Sequence, residues 1–95
     1  MFDRAFFEQH FLEQAKGFAR ERKIANPVVE FLLDDGSILY VRSLLQTREN
    51  WLCLQAHAED GPRQIYLLYY SIKRITLHAQ TPAAAKPRDV GFPLG

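Results

Sequence analysis

The chain has 95 residues, of which 47% are hydrophobic and 24% charged, and its formal net charge is +1. This length suits one domain, and the small net charge sets it apart from strongly basic nucleic-acid-binding domains. No apolar run approaches the ~18 residues of a membrane span, and the start lacks the pattern of an export signal. The single cysteine, Cys53, excludes an internal disulfide. We therefore expect one soluble, cytoplasmic domain that does not bind membranes.

The first predicted element is an amphipathic helix over residues 4–23. Asp3 is a suitable N-cap, and Asn26-Pro27 ends the helical stretch because proline disfavours helix in the residue before it. Residues at steps of three and four form one helical face. These are Phe7, Phe11, Ala15, Phe18 and Arg22.

After Pro27 the hydrophobic period changes to two, which is typical of strands. Turn residues such as Asp35-Gly36 and Gly61 separate the segments. The predicted strands are 28–33, 37–46, 51–58, 63–70 and 74–79, with one helical turn at 71–73. Short, closely spaced strands favour a small barrel or sandwich, in a single domain over residues 1–79 that is mainly β with an N-terminal helix.

The segment 80–95 is rich in proline and has no periodic pattern, so we expect an extended tail. A loose end is the favoured interpretation. Docking of the apolar stretch 90–94 on a groove is the alternative.

Candidate catalytic and metal-binding groups are scattered. His10, His57 and His78 fall on different predicted elements, without Cys or carboxylates at ligand spacing. The adjacent Asp34 and Asp35 precede Gly36, which explains them as turn residues. We expect no enzyme activity, no catalytic residues, no metal and no cofactor.

Four cations cluster at the end of the predicted helix, and they are Lys16, Arg20, Arg22 and Lys23. Such cations complement the helix dipole, and they also suit contact with phosphates; both interpretations stay open. The fourth predicted strand is apolar on both faces, so the helix or a neighbouring subunit should cover its second face. A third interpretation is that Tyr69 and Tyr70 stack on bases.

The order of elements resembles the Sm-like family, in particular the bacterial Hfq-like RNA chaperones. The resemblance spans roughly residues 3–79, and Ala19-Arg20-Glu21-Arg22 is similar to the family's arginine-rich rim motif. Gln64-Ile65-Tyr66 and Ser71-Ile72 are similar to its second Sm motif. Tyr69 and Tyr70 stand where the family has the lysine and histidine of its uridine pocket.

The resemblance implies a strongly bent, five-stranded antiparallel small barrel of the Sm/SH3-like type and a homo-oligomer, with a hexameric ring as the expected form. It also implies RNA as the partner, with Arg20 and Arg22 as phosphate-binding rim residues. The sequence thus supports a non-catalytic RNA-binding ring subunit. The alternative is a protein-interaction module that holds a partner peptide, or its own tail, through exposed aromatic residues, namely Tyr40, Trp51, Tyr69 and Phe92.

Overall fold

The computed structural model describes all 95 residues and consists of an N-terminal helix followed by a five-stranded antiparallel sheet. The helix, α1, is continuous through an α segment Arg4–Phe6, a π segment Phe7–Phe11 and an α segment Leu12–Arg22. The strands are β1 Val28–Leu33, β2 Ile38–Thr47, β3 Trp51–Ala56, β4 Arg63–Leu68 and β5 Ile72–His78, with a 3₁₀ turn at Tyr69–Ser71. No helical segment has the length and apolar character needed to cross a bilayer.

Local hydrogen bonds account for both ends of α1. The Asp3 carboxylate accepts a hydrogen bond from the Phe6 amide at 2.9 Å, which confirms the predicted cap. At the other end, Lys23 is left-handed, with φ of 56°. The Ile24 amide donates to the Ala19 carbonyl at 3.0 Å, which is the pattern of a Schellman motif. The predicted helix is therefore confirmed, except that Lys23 is its cap.

The face of α1 that packs on the sheet differs from the prediction at its C-terminal end. Its buried residues are Phe7, Phe11, Ala15 and Ala19. The π segment adds a residue to one turn, which rotates Phe7 into line with the two alanines. Phe18 and Arg22, predicted for this face, lie at its border and outside it, and the Arg22 guanidinium stands 4.0 Å from the Phe18 ring centroid.

The strand order is β4-β3-β2-β1-β5, so β4 and β5 form the two edges of the sheet. The sheet is open, because no ladder joins these edges. β2 pairs with β1 through Ile38, Leu39 and Tyr40 only, and its remainder pairs with β3, with two register shifts in the ladder. The expected helix and five antiparallel strands are therefore confirmed.

Most of the predicted strand ends differ little from the observed ones, but the turn that links β4 to β5 lies two residues earlier in the structure than predicted. β4 ends at Leu68 rather than at residue 70, and β5 begins at Ile72 rather than at residue 74. The reason is tertiary, because the Tyr69 amide donates to the Asn50 carbonyl at 3.2 Å. That bond ends β4 at Leu68, although the apolar sequence continues to Tyr70, and the Tyr69 side chain is buried in the core. β3 also ends early, at Ala56 rather than at residue 58.

The expectation of a loose tail is wrong. Phe92 belongs to the main core, where its ring centroid lies 5.6 Å from that of Phe11. Ala85 and Val90 are fully buried and form a second small core with Val28. Ala85 and Val90 therefore cover the outer face of the sheet, opposite α1, at its β1 end, while Phe92 enters the core that α1 covers.

A gap between two strands receives the tail. β2 leaves β1 after Tyr40, and Gly91 takes the place beside Val28 as an isolated bridge. The Phe92 amide donates to the Pro27 carbonyl at 2.7 Å, and His57 Nε2 lies 2.8 Å from the Gly91 carbonyl oxygen. These bonds satisfy backbone groups that the divergence of β2 would leave unpaired.

Candidate nucleic-acid interface

The basic cluster consists of Lys16, Arg20, Arg22 and Lys23, and all four side chains are exposed at the C-terminal end of α1. Arg22 is held in place by the Phe18 ring and by Glu21 Oε2, which is 3.7 Å from Arg22 Nη1. Arg20 forms no ion pair within the chain. The structure therefore brings the four predicted cations to one helix end, with Arg20 the more available of the two arginines to an outside anion.

A groove of about 420 Å³ runs beside this cluster, between α1 and β5. Its lining is largely polar and contains Glu13, Gln14, Gly17, Phe18, Arg20, Glu21, Arg22 and Leu77. The two arginines offer planar donors for phosphate oxygens, whereas the two glutamates repel an anion that enters deeply. The arrangement suits a phosphate that passes along the surface better than one enclosed in a pocket.

Tyr69 is almost wholly buried and only borders a small surface recess. Its side chain is only 4% exposed, its hydroxyl donates to the Arg48 carbonyl at 2.6 Å, and its ring stacks on Phe7 with centroids 5.8 Å apart. Burial raises the pKa of Tyr69. The predicted stacking of Tyr69 on a base is therefore wrong, because an internal ring already covers its face.

Tyr70, the other predicted stacking residue, is 63% exposed. It lies in the 3₁₀ turn and lines a small recess with Met1, Phe2 and Asn50. The structure thus separates the two adjacent tyrosines, with one inside the core and one in solvent, and it places Tyr70 away from the basic cluster.

The aromatic residues expected to hold a partner peptide do not form one exposed group. Phe92 and Tyr69 are buried, while Tyr40 and Trp51 are half-buried. Tyr40 lies beside Glu30. Burial is the main cause that raises the pKa of the Tyr40 hydroxyl, and the charge of Glu30 raises it further. Tyr69 and Phe92 therefore serve the fold, and the four residues do not make a shared exposed site.

The charges of the sheet are strongly segregated, which the sequence analysis missed. Of the 11 acidic residues only Glu30 lies in a strand, and it is buried with His78 Nε2 at 2.9 Å from its Oε1. The exposed charged side chains of the strands are all cations, namely Arg42, Arg63, Lys73 and Arg74. The total charge is nevertheless near neutral, because the acidic residues of the helix, the turns and the tail balance the cations.

Opposite the basic cluster, at the N-terminal end of α1, a polar network connects the helix to the sheet. Thr47 Oγ1 donates to the Glu8 carboxylate, and Arg4 Nε donates to the same oxygen at 2.8 Å. The hydrogen bond from Thr47 is the main cause that lowers the pKa of Glu8, and the bond from Arg4 lowers it further. Only the bond from Thr47 crosses from β2 to α1, and it joins the start of the helix to the sheet.

Two of the three histidines make contacts that hold parts of the fold together, and the third is exposed. His57 contacts the tail, His78 contacts Glu30, and His10 is exposed on α1. No group of three or more His, Cys, Asp or Glu side chains has metal-binding geometry. Protein-family models, curated proteins and solved structures give no match to this chain. Function therefore has to follow from the chain's own geometry.

Proposed function

We propose that the protein is a non-catalytic, RNA-binding subunit of an Sm-like homo-oligomer, with the small Sm/SH3-like barrel as its fold. The support is topological. A helix precedes β1, β2 changes partner from β1 to β3 partway along its length, and one 3₁₀ turn separates β4 from β5. This combination is similar to the Sm-like architecture, in which neighbouring subunits join through their fourth and fifth strands.

The observation that carries the proposal is the pair of free sheet edges. β4 and β5 both lack a second neighbour, and the exposed side chains of β4 include Tyr66 and Leu68. A free edge with apolar side chains pairs readily with another strand. Pairing β4 of one copy with β5 of the next satisfies both edges, and repetition of this head-to-tail contact closes a ring or extends a filament.

The RNA-binding part of the proposal rests on the basic cluster. Four exposed cations lie within one helix end, where their field adds to that of the cationic side chains on the strands. In a ring, each copy adds one such cluster to a continuous rim. Contacts of this kind hold phosphates without reading the base sequence.

The test is the salt dependence of RNA affinity in Arg20→Ala, with Lys86→Ala as a matched control, since Lys86 is an exposed cation in the tail. Each lost phosphate contact lowers the slope of log affinity against log salt by about 0.7 for a single strand. We expect that change in Arg20→Ala, with weaker binding by a similar factor for every RNA sequence, and no change in Lys86→Ala. Equal affinity and slope in wild type and Arg20→Ala would refute the assigned site.

A further inference from the structure

The outer face of β3 and β4, on the side of the sheet opposite α1, is open. Tyr66 is 61% and Leu68 41% exposed, although both are large apolar groups in a strand. Trp51 lies across from Leu68 in the ladder, and its ring centroid is 5.7 Å from that of Tyr66. The tail covers the outer face near β1, so Tyr66 faces solvent and Trp51, which is half-buried, borders the same open surface.

Polar side chains continue this surface toward β2. Gln64 Nε2 donates to the Tyr66 hydroxyl at 2.7 Å, and Gln64 lies across from Gln55 in the ladder. Arg42 Nη1 donates to Gln55 Oε1 at 3.0 Å. We call the continuous set Trp51, Tyr66, Gln64, Gln55 and Arg42 the aromatic strip, which has two rings at one end, two amides in the middle and a guanidinium at the other end.

The charge of this face indicates what it accepts. β2, β3 and β4 contain no Asp or Glu, whereas they contain Arg42 and Arg63. Arg63 is paired with Asp60 at 3.3 Å, so Arg42 carries the free charge of the strip. A face without carboxylates does not repel a polyanion, and exposed aromatic rings stack with nucleobases of any sequence.

We propose that the aromatic strip binds unpaired bases of single-stranded RNA by stacking on Tyr66 and Trp51. The amides of Gln55 and Gln64 hydrogen-bond to base edges, and Arg42 contacts a phosphate. The inference rests on the proposed RNA binding and adds a second surface to it, on the opposite side of the sheet from α1. Pairing of the β4 edge uses backbone groups, so the side chains of the strip stay accessible in an oligomer.

Trp51 supplies a local signal because it is the only tryptophan in the chain. The experiment titrates a short oligouridylate into the full-length protein and follows tryptophan fluorescence together with the anisotropy of the labelled RNA. We expect the fluorescence to change in step with binding. Tyr66→Leu should weaken binding by at least about fivefold, the lower end for loss of one stacked base, while Tyr66→Phe keeps the ring and most of the affinity. Thermal unfolding of both variants checks that the fold is intact.

The possible results separate this inference from the proposed function. Binding that leaves Trp51 fluorescence unchanged and is equal in Tyr66→Leu and wild type would overturn the strip and leave the basic cluster standing. Absence of any RNA binding would overturn both. Loss of the oligomer in Tyr66→Leu, measured by light scattering, would show that a second copy covers the face, which also overturns the inference.

Discussion

Replacement of Phe92 by alanine tests whether the tail is part of the folded domain. The Phe92 side chain is 5% exposed, and its ring meets Phe11 edge to face at 5.6 Å. Loss of a buried phenylalanine side chain costs about 3–5 kcal/mol when the cavity cannot collapse. Phe92 lies near the chain end, where the backbone can adjust, so we expect about 3 kcal/mol. A domain of this size has about 5–14 kcal/mol in total, so the loss is large but leaves the protein folded.

The assay is urea unfolding, with the free energy of unfolding compared between Phe92→Ala and wild type. Asp89→Ala is the control, since Asp89 is exposed in the same segment, and we expect a change within about 0.5 kcal/mol. Removal of residues 80–95 should destabilise the domain at least as much as Phe92→Ala. If Phe92→Ala changes stability as little as the control does, the tail does not pack in the core and the reasoning is refuted.

Three further predictions concern single positions. Lys23→Gly should raise the free energy of unfolding by about 0.5–1 kcal/mol in urea titrations, because glycine adopts the left-handed conformation of this cap without strain; a lower stability would contradict the cap. Gly91→Ala should lower the melting temperature, since its new Cβ would lie 3.1 Å from Asn26 Cβ; an unchanged melting temperature would show that the tail shifts freely. The pKa of Glu8 is lowered in the fold by Thr47 and Arg4, so its stabilisation is present above the carboxyl's unfolded pKa and lost as pH falls through the folded value. Glu8→Gln should therefore be less stable than wild type at neutral pH and equal to it in acid, and a pH-independent difference would contradict this.

Local patterns were sufficient for the elements whose signals lie within a few residues. Asp3 marks the start of α1, the predicted bounds 4–23 agree with the helix within one residue, and the period-two pattern with Asp35-Gly36 places β1 and β2 within one residue. These signals succeed because caps, turns and alternation act on neighbouring backbone groups.

The errors arise where distant residues decide. Tyr69 ends β4 because it bonds to the backbone of Arg48 and Asn50, far from it in sequence. Phe92 docks in a gap that exists only after β2 has left β1. Neither event leaves a periodic signal in the chain. Local spacing thus predicts Tyr69 as a site residue and Phe92 as part of a loose end, and tertiary packing overrides both.

The candidate site shows a similar division. The basic cluster is visible in the sequence because one helix end gathers Lys16, Arg20, Arg22 and Lys23. The aromatic strip is not, since it joins Arg42, Trp51 and Tyr66 from three strands, and their common face depends on the register and on a bulge in β2. The absence of Asp and Glu from β2–β4 is nevertheless a feature of the sequence itself, since each of these strands separately contains no acidic residue.

The central claim, assembly through the free β4 and β5 edges, is tested most directly by the molar mass of the nuclease-treated protein. Size-exclusion chromatography with light scattering, at low and high salt, gives this mass without a shape assumption. Head-to-tail pairing of these edges predicts one stable species of about six or seven copies in both conditions, because backbone pairing between strands resists salt better than surface charges do. A monomer at all concentrations would contradict the assembly.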